Sequence, residues 1–333
     1  MMKGFKSRLT ALLAAAVMGL SQLAAYADDE LKYGGAYAAA GQIEGVGYTT
    51  ELYDASNGLP TSDAMFMLSA SDGRLWVGGY SGVLRYDGTT FERQDPALGL
   101  TSARGFYEDS KGRVWVGTND NGVVVVDGRK TTHITYKDGL PSSSIRNFAE
   151  DREGNIFIGT TTGICYADSG LKLHTPEGID LSEERILRQD IDPKGRIFGQ
   201  CSSGRIFAID DKKVTESYTS DEIGCEKITT LAADPDNSGY LWLGTDDSKV
   251  FYGSFGAKAD KMKRVNIPEM NGSIHWLSFD CGRLWVSSTS KVGYLGNDLN
   301  IHMLDDIPVT SGVEMTSPTI RATCGWHLQL RAL

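Results

Sequence analysis

Hydrophobic and polar positions alternate along most of this chain, in short runs broken by glycine-bearing polar turns. The clearest runs are SDGRLWVGGYSGVLRYDG from 71, SKGRVWVGTNDNGVVVVDG from 110, REGNIFIGTTTGICYAD from 152, PKGRIFGQCSSGRIFAID from 193, NSGYLWLGTDDSKVFYG from 237 and DCGRLWVSSTSKVGYLG from 280. They are copies of one unit. Trp76, Trp115, Phe157, Phe198, Trp242 and Trp285 align at spacings of 39, 42, 41, 44 and 43 residues. Three residues before each stands a glycine: Gly73, Gly112, Gly154, Gly195, Gly239 and Gly282. A period of about 40 residues is the mark of a repeat architecture, and a two-residue alternation is the mark of half-buried strands.

Each unit predicts four strands. A tight turn at the aligned glycine, which tolerates positive φ, leads into the aromatic strand. A polar loop (NDNG, TTTG, CSSG) follows, then an apolar strand, then an Asp-Gly turn at Asp87-Gly88 or Asp127-Gly128, then a more polar outer strand. A linker opening with GLP at 58, GLT at 99, GLP at 139 or GID at 178 leads to the next unit's first strand. Four short antiparallel strands in about 42 residues is the size of a β-propeller blade. The fold class predicted is all-β: a propeller of four-stranded antiparallel blades, six complete, with remnants of a seventh. The orphan strand at residues 47–53 would close the ring as the outer strand of the last blade.

Charge and cysteine usage narrow the function. The 33 basic against 43 acidic residues leave a net charge of -10. A chain this acidic lacks the basic footprint that nucleic acid or an anionic membrane surface requires. Residues 1–27 read as a signal peptide: Lys3, Lys6 and Arg8, then an apolar stretch, then a small-x-small site at Ala25-Tyr26-Ala27. Gly19, Ser21 and Gln22 interrupt that stretch, so the mature chain is expected to carry no membrane span. Residues 28–46 form a linker, and 47–315 the propeller. The five cysteines, Cys165, Cys201, Cys225, Cys281 and Cys324, have no metal-ligand spacing, and no metal or cofactor is expected.

The repeat resembles the two-component regulator propeller repeat. The clearest matches are 99–122 and 139–163, with Asp109 and Asp151 as turn acids; Asp192 and Asp236 take that place in the fourth and fifth units, while Ala70 and Phe279 stand there in the first and sixth. The resemblance implies the exported sensor part of a bacterial signalling protein, periplasmic or extracellular, with any kinase output in other domains.

No catalytic constellation accompanies the repeat, and no enzyme activity is expected. The acids precede the aligned glycine by three residues in the best units, not by the two of a sialidase-like Asp-box. His133, His174, His275, His302 and His327 share no motif. DPDNSG at 234 begins like a calcium loop, but Thr245 stands where the bidentate glutamate belongs. The alternatives are a glycan-active hydrolase or lyase and a protein-binding scaffold.

The loops between the middle strands and those entering the inner strands should share one face. They offer Tyr80, Asn119 and Asp120, with Arg104, Arg146, Arg185, Lys227 and His275 at the inner-strand entrances. Ringing a channel mouth, these cations would favour an anionic ligand. The partner expected is a small polar ligand or oligosaccharide, with self-association through propeller edges as a further possibility and no nucleic acid.

The closing TSPTIRATCGWHLQLRAL, 316–333, breaks the pattern. Back-translated and read in a shifted frame, with permitted codon choices, it gives DYQGNLWLASTAKG, whose tryptophan falls at codon 324. That is within the window where a seventh aromatic is due. The tail is therefore read as a frameshift between Ser317 and Pro318, and Cys324, Trp326 and His327 carry no functional argument.

Overall fold

The computed structural model describes residues 53, 58–61, 64–265, 267, 270–280, 283–289, 291–295 and 300–303. Within them the six units form six sheets, each a complete blade. The signal peptide, the linker, the tail, the seventh-blade remnants and Gly282 lie outside the described residues. Of the orphan strand at 47–53 only Tyr53 is described. Its ring packs edge-on against Tyr86 and Phe91 of blade 1, and its hydroxyl lies 3.0 Å from that of Tyr86.

The inner strands are Phe66–Ser69, Ala103–Glu108, Ile145–Glu150, Ile186–Ile191, Ile228–Ala233 and Ile274–Asp280. The second strands, Leu75–Gly79, Val114–Thr118, Ile156–Thr160, Ile197–Cys201, Tyr240–Thr245 and Arg283–Ser288, carry the aligned aromatics at their second or third residue. Every residue of these strands is buried except Tyr240. Side chains on a strand point alternately to its two faces, and here the two faces meet different neighbours. Trp115 joins the core between blades 2 and 3, with Ile145, Phe148 and Ile158. Its strand neighbours Val114 and Val116 join the core between blades 1 and 2, with Leu68 and Trp76. Phe157, Phe198 and Trp242 likewise face the following blade. The two-residue alternation thus glues each blade to both neighbours, and each large buried side chain contributes about 1.5–3 kcal/mol.

The acid before the glycine locks the turn from inner to second strand. Asp109 accepts from the backbone N–H of Lys111 and Arg113, from Arg113 Nε at 2.6 Å and from Trp115 Nε1 at 2.8 Å. Gly112 sits at φ 74°, left-handed backbone that favours glycine. Asp151 and Asp192 accept the same pair of backbone bonds. In blade 5 the acid is Asp234, not Asp236. Asp234 accepts from the N–H of Asp236 and Asn237 and from the Tyr252 hydroxyl, in a turn two residues longer than in blades 2–4. The DPDNSG stretch is therefore a turn whose carboxylate is already occupied.

The glutamate before that aspartate clips neighbouring blades together. Glu108 accepts from Ser71 N–H and Oγ of blade 1, and Glu150 from Ser110 N–H and Oγ of blade 2. The linkers form 3-10 turns at Pro96–Leu98 and Tyr136–Asp138, each ended by the glycine of GLT or GLP. The linker before blade 4 departs from the plan. Glu177–Gly178 pairs parallel to the outer strand Lys213–Tyr218, giving blade 4 a fifth strand.

Candidate functional site

All six inner strands line one central channel of about 660 Å³. Its residues come from a shared irregularity. In blades 2 to 6 each inner strand has one extra residue near its entrance, opposite the end of the second strand. The unpaired residues are Arg104, Arg146, Leu187, Thr229 and His275. A β-bulge re-aims the side chain of its extra residue, and all five line the channel.

The loops between second and third strands close onto this end. The N–H of Asn119 donates to Ser102 O, Thr161 to Ser144 O, Ser202 to Arg185 O and Asp246 to Lys227 O. The two loop sets expected on one face are hydrogen-bonded to each other there. Arg104 donates to the Tyr80 hydroxyl at 3.3 Å, and its guanidinium lies 5.5 Å from the Phe66 ring centroid. Arg146 donates to Asn119 Oδ1 at 3.3 Å. His275 Nε2 lies 3.1 Å from Thr289 Oγ1. Tyr80 is 60% exposed, the only large aromatic that exposed beside the mouth among the described residues.

Of the eight residues singled out from sequence, Tyr80, Arg104, Asn119, Arg146 and His275 meet at the mouth. Asp120 is exposed on the loop beside Asn119. Arg185 and Lys227 do not line the channel. They precede the bulge by two residues, where the chain still runs in the entering loop and uses its carbonyls to hold Ser202 and Asp246. Leu187 and Thr229 occupy the channel positions of those blades. The mouth is therefore cationic along blades 2 and 3, carries a histidine on blade 6, and is apolar or neutral between.

Deeper in the channel lie two residues not anticipated, Arg188 and Trp276. The Arg188 guanidinium carbon stands 3.3 Å from the Trp276 ring centroid, and Nη2 donates to Leu277 O at 2.6 Å. This bond joins blade 4 to blade 6 across the channel. Arg188 Nε and Trp276 Nε1 are sealed from solvent and have no hydrogen-bond partner among the described residues. Burial lowers the Arg188 pKa to about 10, against the pull of nearby Asp190. Burial raises that of Asp190, opposed by the N–H donors of Ala233 and Ile191, each 2.9 Å away, and by the Arg188 charge. The R-x-D pair inside the inner strand ILRQDI is the one sequence signal for this feature.

Among the described residues the cysteines are Cys165, Cys201 and half-buried Cys225, all free, and burial raises the Cys225 thiol to about 11. Cys165 and Cys201 are buried and free, and burial pushes the Cys165 thiol up to about 12.

The model of the two-component regulator propeller matches residues 98–120 and 139–162, two of the six units. The chain carries repeats of that kind. No curated protein matches the chain. Among solved structures, an extracellular domain described as that of a hybrid two component system from B. thetaiotaomicron is 19% identical, with a TM-score of 0.62, over 78% of this chain and 39% of that one. A second such domain from B. thetaiotaomicron is 14% identical, with a TM-score of 0.61, over 79% and 37%. A virginiamycin B lyase from Staphylococcus aureus, crystallised with quinupristin, is 14% identical, with a TM-score of 0.61, over 78% and 92%. At these identities the likeness is one of fold. The chain spans well under half the length of the two hybrid-system domains.

Proposed function

We propose that this chain of two-component regulator propeller repeats is an exported sensor module of a bacterial signal-transduction system. It binds a small polar ligand or oligosaccharide at the bulged mouth of its channel and catalyses no reaction itself. The observation that carries the reading is the set of five bulges at one level. They present Arg104, Arg146 and His275 beside exposed Tyr80, in a chain whose overall charge is negative. Structural economy does not call for cations there, since a bulge gives up ladder pairing. A concave site with a few convergent polar groups is the usual form of a ligand pocket. The basic leader and small-x-small site at its end support export. No helix among the described residues is long and apolar enough to cross a membrane.

Signalling requires that the ligand bind two states of the sensor unequally. The propeller supplies the binding half of that equilibrium, and the output belongs to whatever part of the system it is joined to. A glycan array that includes acidic and neutral oligosaccharides, followed by product analysis of every hit, tests the reading. Binding without turnover is expected. Arg104→Ala and Arg146→Ala should each weaken an anionic hit about tenfold by calorimetry, the worth of one charge-assisted hydrogen bond. Unchanged affinity would remove the mouth from the argument. Release of a cleaved product would make the chain an enzyme instead.

A further inference from the structure

The Arg188 tie is poorly satisfied where it stands. Its guanidinium carries a full charge, yet its partners are a neutral carbonyl and the face of an indole. No carboxylate lies within ion-pair distance of it among the described residues; the nearest acid by sequence, Asp190, spends both oxygens on backbone N–H groups of Ala233 and Ile191. Its Nε and the indole Nε1 beneath it are unpartnered and sealed from water. Buried donors left without acceptors each cost about 1–3 kcal/mol. Hydrogen bonds to a charged acceptor are about twice as strong as neutral ones. An anion in the channel would therefore be a better partner for this guanidinium than the Leu277 carbonyl is.

We infer that Arg188 is the element of the channel that registers an anionic ligand. On this inference an anion held at the mouth by Arg104 and Arg146 draws the Arg188 guanidinium off Trp276 and the Leu277 carbonyl. The only side-chain hydrogen bond from blade 4 to blade 6 among the described residues is then broken. Such a step supplies the differential interaction that a two-state sensor needs. It links occupancy to the relative freedom of two blades that are not chain neighbours. The ligand class follows: a carboxylate- or sulfate-bearing small molecule, with a neutral sugar of the same size unable to trigger the change. The inference rests on the mouth being the ligand site.

Trp276 makes the step visible. A guanidinium stacked on an indole alters its emission, and the difference between the wild-type chain and Trp276→Phe isolates that signal from the other tryptophans. The probes are sulfate, citrate and trigalacturonate, with maltotriose as the neutral control, each followed in parallel by calorimetry. The expected result is saturable binding of at least one anion, with a Trp276 emission change that tracks the binding isotherm. Maltotriose should leave the emission unchanged. Arg188→Gln should abolish the ligand-dependent change and weaken the anion about tenfold. Arg188→Lys, which keeps the charge but not the stacked plane, should restore part of the affinity without the emission change. An anion that binds by calorimetry while Trp276 emission stays constant overturns this inference and leaves the mouth intact as a site. No binding of any of the three anions overturns the mouth as an anion site, and this inference with it. Equal affinity for wild type and Arg188→Gln would show that the guanidinium never meets the ligand.

Discussion

Where the inner strand turns into the second in blades 2 and 3, the acids have their partners. Asp109 takes four hydrogen bonds from its own turn, and Glu108 and Glu150 each take two from the preceding blade. At the opposite end and just inside it, Arg104 and Arg188 are bonded to neutral groups, the Tyr80 hydroxyl and the Leu277 carbonyl. Arg104 Nε, Arg188 Nε and Trp276 Nε1 are buried donors with no acceptor. The same strands build both ends, so the difference is not one of fold. The first end spends its polar groups on holding the ring. The second leaves cations with neutral partners around a channel, where an anionic acceptor would serve them better. Repeated acids that look like candidate chemistry are the scaffold here, and the irregular cations are the proposed site.

The comparison is broken most severely by Asp109→Ala. The side chain of Asp109 has no exposed surface, and its removal strands the Arg113 guanidinium and the Trp115 indole N–H. Breaking a buried pair from one side costs about 3–5 kcal/mol, so urea denaturation should show a loss of that order. A loss under about 1 kcal/mol would show that this end is not what holds the blade. The acid dependence has a definite sign. Hydrogen bonds from Trp115 and Arg113 together outweigh burial and hold the Asp109 carboxyl below its ordinary 3.8. Its stabilisation is complete above the unfolded value and is lost as pH falls through the lower folded value. The stability gap between wild type and Asp109→Asn should therefore be largest near neutrality and narrow as pH falls below the ordinary 3.8. A gap that is constant with pH would remove the charge from the account.

Blade 1 offers the converse test. Its turn has the backbone bonds of the blade 2 turn, Ala70 N–H to Arg74 O and Gly73 N–H to Ala70 O, but Ala70 stands where blade 2 has Asp109, and it is Asp72 that accepts the Arg74 N–H. The Trp76 indole N–H is buried without a partner. Ala70→Asp should supply one and raise stability by about 1 kcal/mol, read as a higher urea midpoint with an unchanged slope. A lower midpoint would mean that burying the new carboxylate costs more than the indole bond returns.

How much of this could be read from sequence depends on how local each feature is. The aligned aromatics and glycines were legible because a two-residue alternation and a tight turn are properties of six consecutive residues. Trp115 and Gly112 need no distant contact to be recognised. Asp234 was misplaced to Asp236 because the blade 5 turn is two residues longer, and counting back from the glycine hides an insertion. Thr229 is hidden by the same insertion, standing 13 residues before Trp242 where Arg104, Arg146 and Leu187 stand 11 before their aromatics. Leu187 was alignable by that count; Arg185, two residues earlier, draws attention by its charge and not by its place in the repeat. Arg188 was unreadable as a tie, since its partner lies 89 residues away. The parallel fifth strand at Glu177–Gly178 is non-local in the same sense, being made by a linker that reaches the far edge of the blade it precedes.

The smallest stability effect expected is the most informative about the site. Arg104 and Arg146 are partly exposed at the bulges, where no ladder pairing depends on them. Their partners, the Tyr80 hydroxyl and the Asn119 amide, are neutral groups at the solvent margin. Arg104→Ala and Arg146→Ala should therefore each change unfolding free energy by no more than about 0.5 kcal/mol, even as they weaken an anionic ligand. If instead either variant lost about 2 kcal/mol or more, its arginine would belong with Asp109 among the groups that hold the ring. The contrast between the two ends would then fail at that blade. Double substitution sharpens the point. The two arginines reach back to different blades, so their stability effects should add, whereas a shared anion would couple their effects on binding.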